Sequence, residues 1–244
     1  DIEWYGMRDF SKERSMQTGM LPPKLAQIML NLAGWKSIYD PFVWLWTVLI
    51  EARLAGSKKV FWSDISSEMV KVSSKNLENL NWEFNYKIIE QNSKYINEVD
   101  FLNSVDSIVT EWYLWEIMTQ RNISSDRIEL QKKRLADLYS GFFSGLKKSN
   151  FKWTIVISFP FWEMNKKYFY FEDVYEIINK YCNILELLPK NLEFWNQERI
   201  KEELKSNSWE KEYHSYIETS KSESLLYKRD NQLVGREIFK LQIK

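Results

Sequence analysis

Short apolar runs of strand character alternate with runs of helical period along this 244-residue chain, and that alternation constrains its fold more than any other feature. Pro22 and Pro23 open a run from Lys24 to Ala33 in which Leu25, Ile28, Met29 and Leu32 recur at helical spacing, with proline at the first turn. A strand over Ser37 to Tyr39 ends at Asp40-Pro41-Phe42, and a helix from about Thr47 to Leu54 stops at Gly56. Lys59 to Ser63 is the next strand, with Asp64 at its carboxyl end and Ser66 capping a helix through Met69 to about Leu80. Strands at Tyr86 to Glu90 and Ser107 to Glu111 follow, separated by a helical or irregular crossover. Ser124 or Ser125 caps a long amphipathic helix to about Lys148, and Lys152 to Phe159 reads as a fully buried strand. Phe171 to Tyr181 and the charged Asn191 to Leu204 are helices, the second lying on the surface. Ser224 to Lys228 and Arg236 to Leu241, joined through Asp230-Asn231-Gln232, predict a closing antiparallel hairpin. The whole pattern predicts an α/β fold with a parallel, doubly wound sheet whose ligands lie beyond the carboxyl ends of the strands.

One domain over residues 1–244, with 1–18 as an opening segment, is the simplest division, and its core needs no disulfide. Cys182 is the only cysteine and His214 the only histidine, so no disulfide, Cys/His zinc site or Cys-His nucleophile can form within the chain, and no metal is expected. Cys182 reads as packed inside a helix. No apolar run approaches the roughly 18 residues of a membrane span and no signal segment opens the chain, so the expected setting is cytoplasmic, without a membrane partner. Lys plus Arg and Asp plus Glu balance at 34 each, so no global positive field announces a nucleic acid. The start at Asp1 reads as that of a fragment, whose missing upstream part would supply such affinity. The clusters Lys132-Lys133-Arg134 and Lys147-Lys148 read as solvated helix faces within reach of phosphates.

Asp40-Pro41-Phe42-Val43-Trp44-Leu45-Trp46-Thr47 stands where a strand turns into a helix beneath a nucleotide-like ligand, a place where close backbone approach calls for glycine. Apart from its two indoles the segment resembles motif I of the methyltransferases that act on nucleic-acid amino groups, which runs Asp-Pro-Phe, any, Gly, any, Gly-Thr. Gly19-Met20-Leu21-Pro22-Pro23-Lys24-Leu25-Ala26-Gln27 resembles the preceding motif of the THUMP-associated tRNA guanosine methyltransferases, and Ser63-Asp64-Ile65-Ser66 with Asn76-Leu77 continues the likeness. Ser224-Leu225-Leu226-Tyr227-Lys228-Arg229 and Val234-Gly235-Arg236-Glu237-Ile238 resemble that group's closing hairpin. The resemblance implies a seven-stranded class I (Rossmann-like) methyltransferase sheet, S-adenosylmethionine as cofactor, and an upstream RNA-binding domain.

The chain holds 12 Trp against 7 Gly, where ordinary usage of about 7% glycine would give roughly 17 in this length. Trp44, Trp46, Trp62, Trp112 and Trp115 occupy places where the resembled family has small residues, chiefly glycine, and Trp35 stands in a turn after Gly34. We hypothesise that the source decodes UGA as glycine and that these six were written as tryptophan. Aromatic packing in the core is the competing account, preferred for Trp82, Trp162, Trp195 and Trp209, with Trp4 and Trp153 left open.

The resemblance also assigns roles. Asp40, Pro41, Phe42, Trp44, Trp46 and Thr47 form the cofactor loop, with Asp40 toward the methionine end. Asp64, followed by Ile65, accepts from the ribose hydroxyls, unless it is only an acid at a helix N-terminus. Asn92 stands where the family has an acid that meets the adenine amino group. In Thr110-Glu111-Trp112-Tyr113-Leu114-Trp115, Glu111 accepts a hydrogen bond from the target amino group and Tyr113 stacks on the extruded base. The family's two prolines are absent here, and the aromatic comes one place early. The reading is methyl transfer to an exocyclic amino group of an RNA base, N2 of a tRNA guanosine, with tRNA as partner. A DNA adenine N6 methyltransferase and a non-catalytic RNA-binding relative are the alternatives. A nicotinamide oxidoreductase would place its glycines directly after the first strand.

Overall fold

Among the described residues the alternation resolves into a ten-stranded mixed sheet with helices on both faces. A computed structural model describes residues 21–34, 36–42, 47–79, 85–111, 122–187, 217–219, 224–229 and 232–244. Helix α1 (Pro23–Ala33) starts after Pro22, β1 (Ser37–Asp40) follows, and α2 (Thr47–Leu54) ends near Gly56, whose φ of 94° favours glycine. Strand β2 (Lys59–Asp64) leads into α3 (Ser67–Asn79), where the Ser66 hydroxyl caps the Met69 N–H at 3.3 Å, and then into β3 (Asn85–Glu90). Two 3-10 turns, Ser93–Glu98 and Leu102–Ser104, form the crossover to β4 (Ser107–Glu111). Helix α4 (Ser125–Lys148) is capped by Ser124, which accepts the Arg127 N–H at 3.3 Å. Beyond it lie β5 (Thr154–Met164), β6 (Lys167–Phe169), α5 (Glu172–Tyr181), β7 (Cys182–Ile184), β8 (Ile217–Thr219), β9 (Leu225–Tyr227) and β10 (Val234–Ile243).

The strands run in the order β3-β2-β1-β4-β5-β10-β9-β8, with β6 on β5 and β7 on β10. The first five are mutually parallel, and β10 runs antiparallel to β5, β7 and β9. Strands β1 to β5, β7 and β10 form the expected seven-stranded frame, and β9 with β10 is the expected closing hairpin. Alternate residues explain the double winding. Ile38, Val60, Val109, Val156 and Ile238 face α1 and α2, whereas Tyr39, Phe61, Ile108, Ile155 and Phe239 join the core beneath α4 and α5.

The structure corrects three details. Cys182 is not inside a helix; it is the buried first residue of β7. Lys132 is not solvated, because it lies nearly buried between Glu172 at 2.7 Å and Glu129 at 3.1 Å. Strand β5 does not stop near Phe159. It runs on through Pro160 to Met164, paired antiparallel with β10 as far as Trp162 and with β6 from Trp162 to Met164. The expected helix at 191–204 lies outside the described residues. Among the described residues no helix is long and apolar enough to cross a membrane, and no group of three or more His, Cys, Asp or Glu could hold a metal ion.

Candidate functional site

Strand order reverses between β1 and β4, since β1 has β2 on one side and β4 on the other. In an open α/β sheet the crevice beyond the carboxyl ends of such a pair is where ligands bind. Both strands end there in an acid, Asp40 on β1 and Glu111 on β4. Thr110 links them: its hydroxyl donates to Asp40 Oδ1 at 2.6 Å, and the Phe42 N–H donates to the same oxygen at 3.0 Å. Asp40 is buried, and burial pushes its carboxyl up to about 7 against the pull of those two hydrogen bonds, with nearby Asp64 and Glu111 raising it further. Pro41 is buried, Phe42 leans on Phe142 with ring centroids 5.6 Å apart, and Thr47 is buried at the start of α2.

Glu111 is not left to solvent. Arg236, from the antiparallel strand β10, donates Nε to Glu111 Oε1 at 2.5 Å, and their side chains are 1% and 12% exposed. Burial raises the Glu111 carboxyl and the guanidinium opposes that rise. Arg236 cannot lose its proton at ordinary pH, so Glu111 faces a permanent cation. The neighbouring Glu237 is fully buried, where the Tyr175 hydroxyl reaches its two oxygens at 2.8 Å and Ser224 Oγ meets it at 2.6 Å. Sequence reasoning assigned no role to Arg236 or Glu237. The available signal was two adjacent charges inside a strand otherwise buried on both faces, since such charges occur when paired.

One strand over, Asp64 ends β2 and its Oδ1 accepts the Ser66 N–H at 2.8 Å, which turns the chain into α3. Ile65 next to it is 67% exposed. Asn92 follows β3 and its Oδ1 accepts the Lys94 N–H at 3.0 Å, capping a 3-10 turn. The structure thus brings Asp40, Thr110 and Glu111 together, with Asp64 on the adjoining strand end. Trp44, Trp46 and Tyr113 lie outside the described residues, as do Trp35, Trp112 and Trp115. Trp62 is the only one of the six suspected glycines that is described. It is fully buried and stacked 5.5 Å from Tyr86, yet its indole N–H has no hydrogen-bond partner among the described residues. Trp162, read as a true core residue, is equally buried and donates to Gln131 Oε1 at 3.1 Å.

A five-strand parallel run closed by an antiparallel last strand, with acids at the ends of its central strands, defines the class I, Rossmann-like S-adenosylmethionine-dependent methyltransferase fold. Residues 11–160 match the family model described as "UPF0020: RMKL-like, methyltransferase domain". The chain belongs to that family. Its fold is similar to that of TrmN from Thermus thermophilus, at 14% identity and a TM-score of 0.50 over 93% of this chain and 50% of that one. It is likewise similar to NSun6 from Pyrococcus horikoshii, crystallised with SFG, at 13% identity and a TM-score of 0.53 over 89% of this chain and 51% of that one. TYW2 of P. horikoshii, in complex with MeSAdo, has a TM-score of 0.51 at 12% identity, over 94% of this chain and 66% of that one. The chain therefore spans about half the length of the first and second of these proteins. No curated protein sequence matches it.

Proposed function

We propose that the native domain methylates an exocyclic amino nitrogen of an RNA base, N2 of a tRNA guanosine, with S-adenosylmethionine as donor. The observation that carries this reading is the Asp40–Thr110–Glu111 constellation at the strand-order switch. The cofactor, when bound, supplies an electrophilic methyl carbon. Asp40 faces its cationic methionine end, and Asp64 accepts from the ribose hydroxyls. The exposed Ile65 offers apolar surface to the adenine, while Asn92 has a second carbonyl lone pair for the adenine amino group. These residues fit the donor's chemistry, with acid toward cation and hydrocarbon beside the base. Glu111, held beside the Arg236 cation, accepts a hydrogen bond from the target amino group and orients its lone pair, and Tyr113 stacks on the base. Positioning supplies most of the rate, and an upstream domain supplies much of the RNA affinity.

The test is transfer of labelled methyl from S-adenosylmethionine by a Trp44→Gly, Trp46→Gly double variant, offered tRNA and duplex DNA in parallel. Label in tRNA is expected; label in DNA alone moves the reading to an adenine N6 methyltransferase. The chain as written should bind the cofactor poorly, because Trp44 and Trp46 would fill its space, and a tight complex of that chain refutes this. A second reading, a non-catalytic RNA-binding relative, is favoured by one observation: Arg236 already satisfies the Glu111 carboxylate from within. Failure of the double variant to bind S-adenosylhomocysteine in a calorimeter would favour it.

A further inference from the structure

Strand β5 carries Phe159 to Met164 toward the end of the sheet where Asp40, Asp64 and Glu111 lie, paired with β10 as far as Trp162. Glu163 and Met164 run past that pairing, about 7 Å of strand at a rise of roughly 3.3 Å per residue. The strand folds back as β6 with Met164 opposite Lys167, and Leu233, next to β10, binds its stem by accepting the Glu163 N–H at 2.7 Å. The turn is Asn165-Lys166, and both residues have positive φ, 53° and 60°. A two-residue hairpin turn of this hand favours Asn-Gly, so a lysine at the second place is strained where glycine would not be.

The tip is also the wrong sign for a neutral surface. Glu163 is neutralised by Lys228 at 2.6 Å, whereas Lys166 and Lys167 are exposed and form no ion pair among the described residues. Beside them Tyr168 is 45% exposed, held edge-on by Phe161 at 5.2 Å and by Tyr170 at 6.3 Å. Phe161 can occupy that place because it packs over Gly235, where a Cβ would come within 2.1 Å of its ring. A rigid aromatic face next to two unpaired cations, projecting from the ligand side of the sheet, is the combination that single-stranded nucleic acid recognises.

The geometry points to the β5–β6 hairpin as an RNA-docking arm: Tyr168 stacks on a base flanking the target, and Lys166 and Lys167 meet the backbone phosphates. This rests on the RNA reading above and deepens it by naming the surface that grips the strand outside the reaction crevice. The strained lysine then has a reason, since glycine would ease the turn but could not reach a phosphate.

The test is fluorescence anisotropy of labelled tRNA with the full chain and with its K166G, K166E/K167E and Y168A variants, each also melted thermally. K166E/K167E should lose at least tenfold in affinity and flatten the salt dependence, by about 0.7 in log–log slope for each phosphate no longer neutralised. Y168A should lose about tenfold. K166G should melt no lower than the parent and still bind tRNA less well, which a merely structural role would not produce. If the parent binds tRNA and all three variants bind it equally, the arm is refuted while the RNA reading stands. If the parent binds no tRNA even at low salt, the arm is refuted, while the RNA reading is decided separately by the labelled-methyl transfer above.

Discussion

Trp62 and Trp162 are alike in burial and differ in whether the indole N–H is met, and that difference has a measurable consequence. Replacing either by Phe trims the same atoms, but at Trp162 it also removes a buried hydrogen bond, worth about 1–3 kcal/mol when a partner group is left behind. Trp162→Phe should therefore destabilise by about 1–3 kcal/mol more than Trp62→Phe in denaturant melts, and equal losses would refute this. Asp40 gives a second residue-scale expectation. Its carboxyl holds a proton up to about pH 7 in the fold against about 3.8 when unfolded. Between those values the native state binds more protons than the unfolded chain, so its contribution is whole below about pH 4 and is lost as pH rises through 7. The slope is at most about 1.4 kcal/mol per pH unit. The burial-raised Glu111 acts in the same direction. Asp40→Asn should flatten the decline, as urea melts across pH 4 to 8 would record, and an unchanged slope would place the titration elsewhere.

Most elements were legible because local signals and tertiary demand agreed. Pro23 opens α1, Gly56 follows the end of α2, Ser124 caps α4, and all behave as their chemistry requires. The misreadings occur where tertiary context overrides a local signal. Pro160 reads as the end of a strand, yet it lies inside β5, opposite Arg236 of the remote strand β10. Lys132-Lys133-Arg134 reads as a solvated run, yet Lys132 is drawn in by Glu172, forty residues on, a partner that no local window contains. Arg236 and Glu237 were legible as part of a family motif but not as partners of Glu111, Tyr175 and Ser224, because those contacts join remote strands and helices. The β5–β10 packing can be tested on its own. Gly235→Ala places a methyl in the ring of Phe161 and should cost about 1–3 kcal/mol by overpacking, while a G235A/F161L double variant, with the ring gone, should recover part of that loss. No recovery would mean that the ring is not the obstacle.

For the whole molecule, the family and the sheet were readable from the strand-end acids and the Asp-Pro-Phe turn even with tryptophan in the loop, because strand order depends on the apolar alternation and not on the loop's composition. The recoding proposal is also decided at this scale. The gene should carry UGA at positions 35, 44, 46, 62, 112 and 115 and UGG at Trp162, and any other codons at 44 and 46 would end it. Strand β10, the last of the described strands to leave the ribosome, is inserted between β5 and the pair β7 and β9, and it brings the guanidinium that meets Glu111. A nascent chain that has reached residue 230 therefore lacks both the β10 pairing of β5 and the guanidinium that meets Glu111. Translation of one strand delivers both, so a chain released before it keeps an unpaired edge on β5 and a Glu111 carboxyl without that partner.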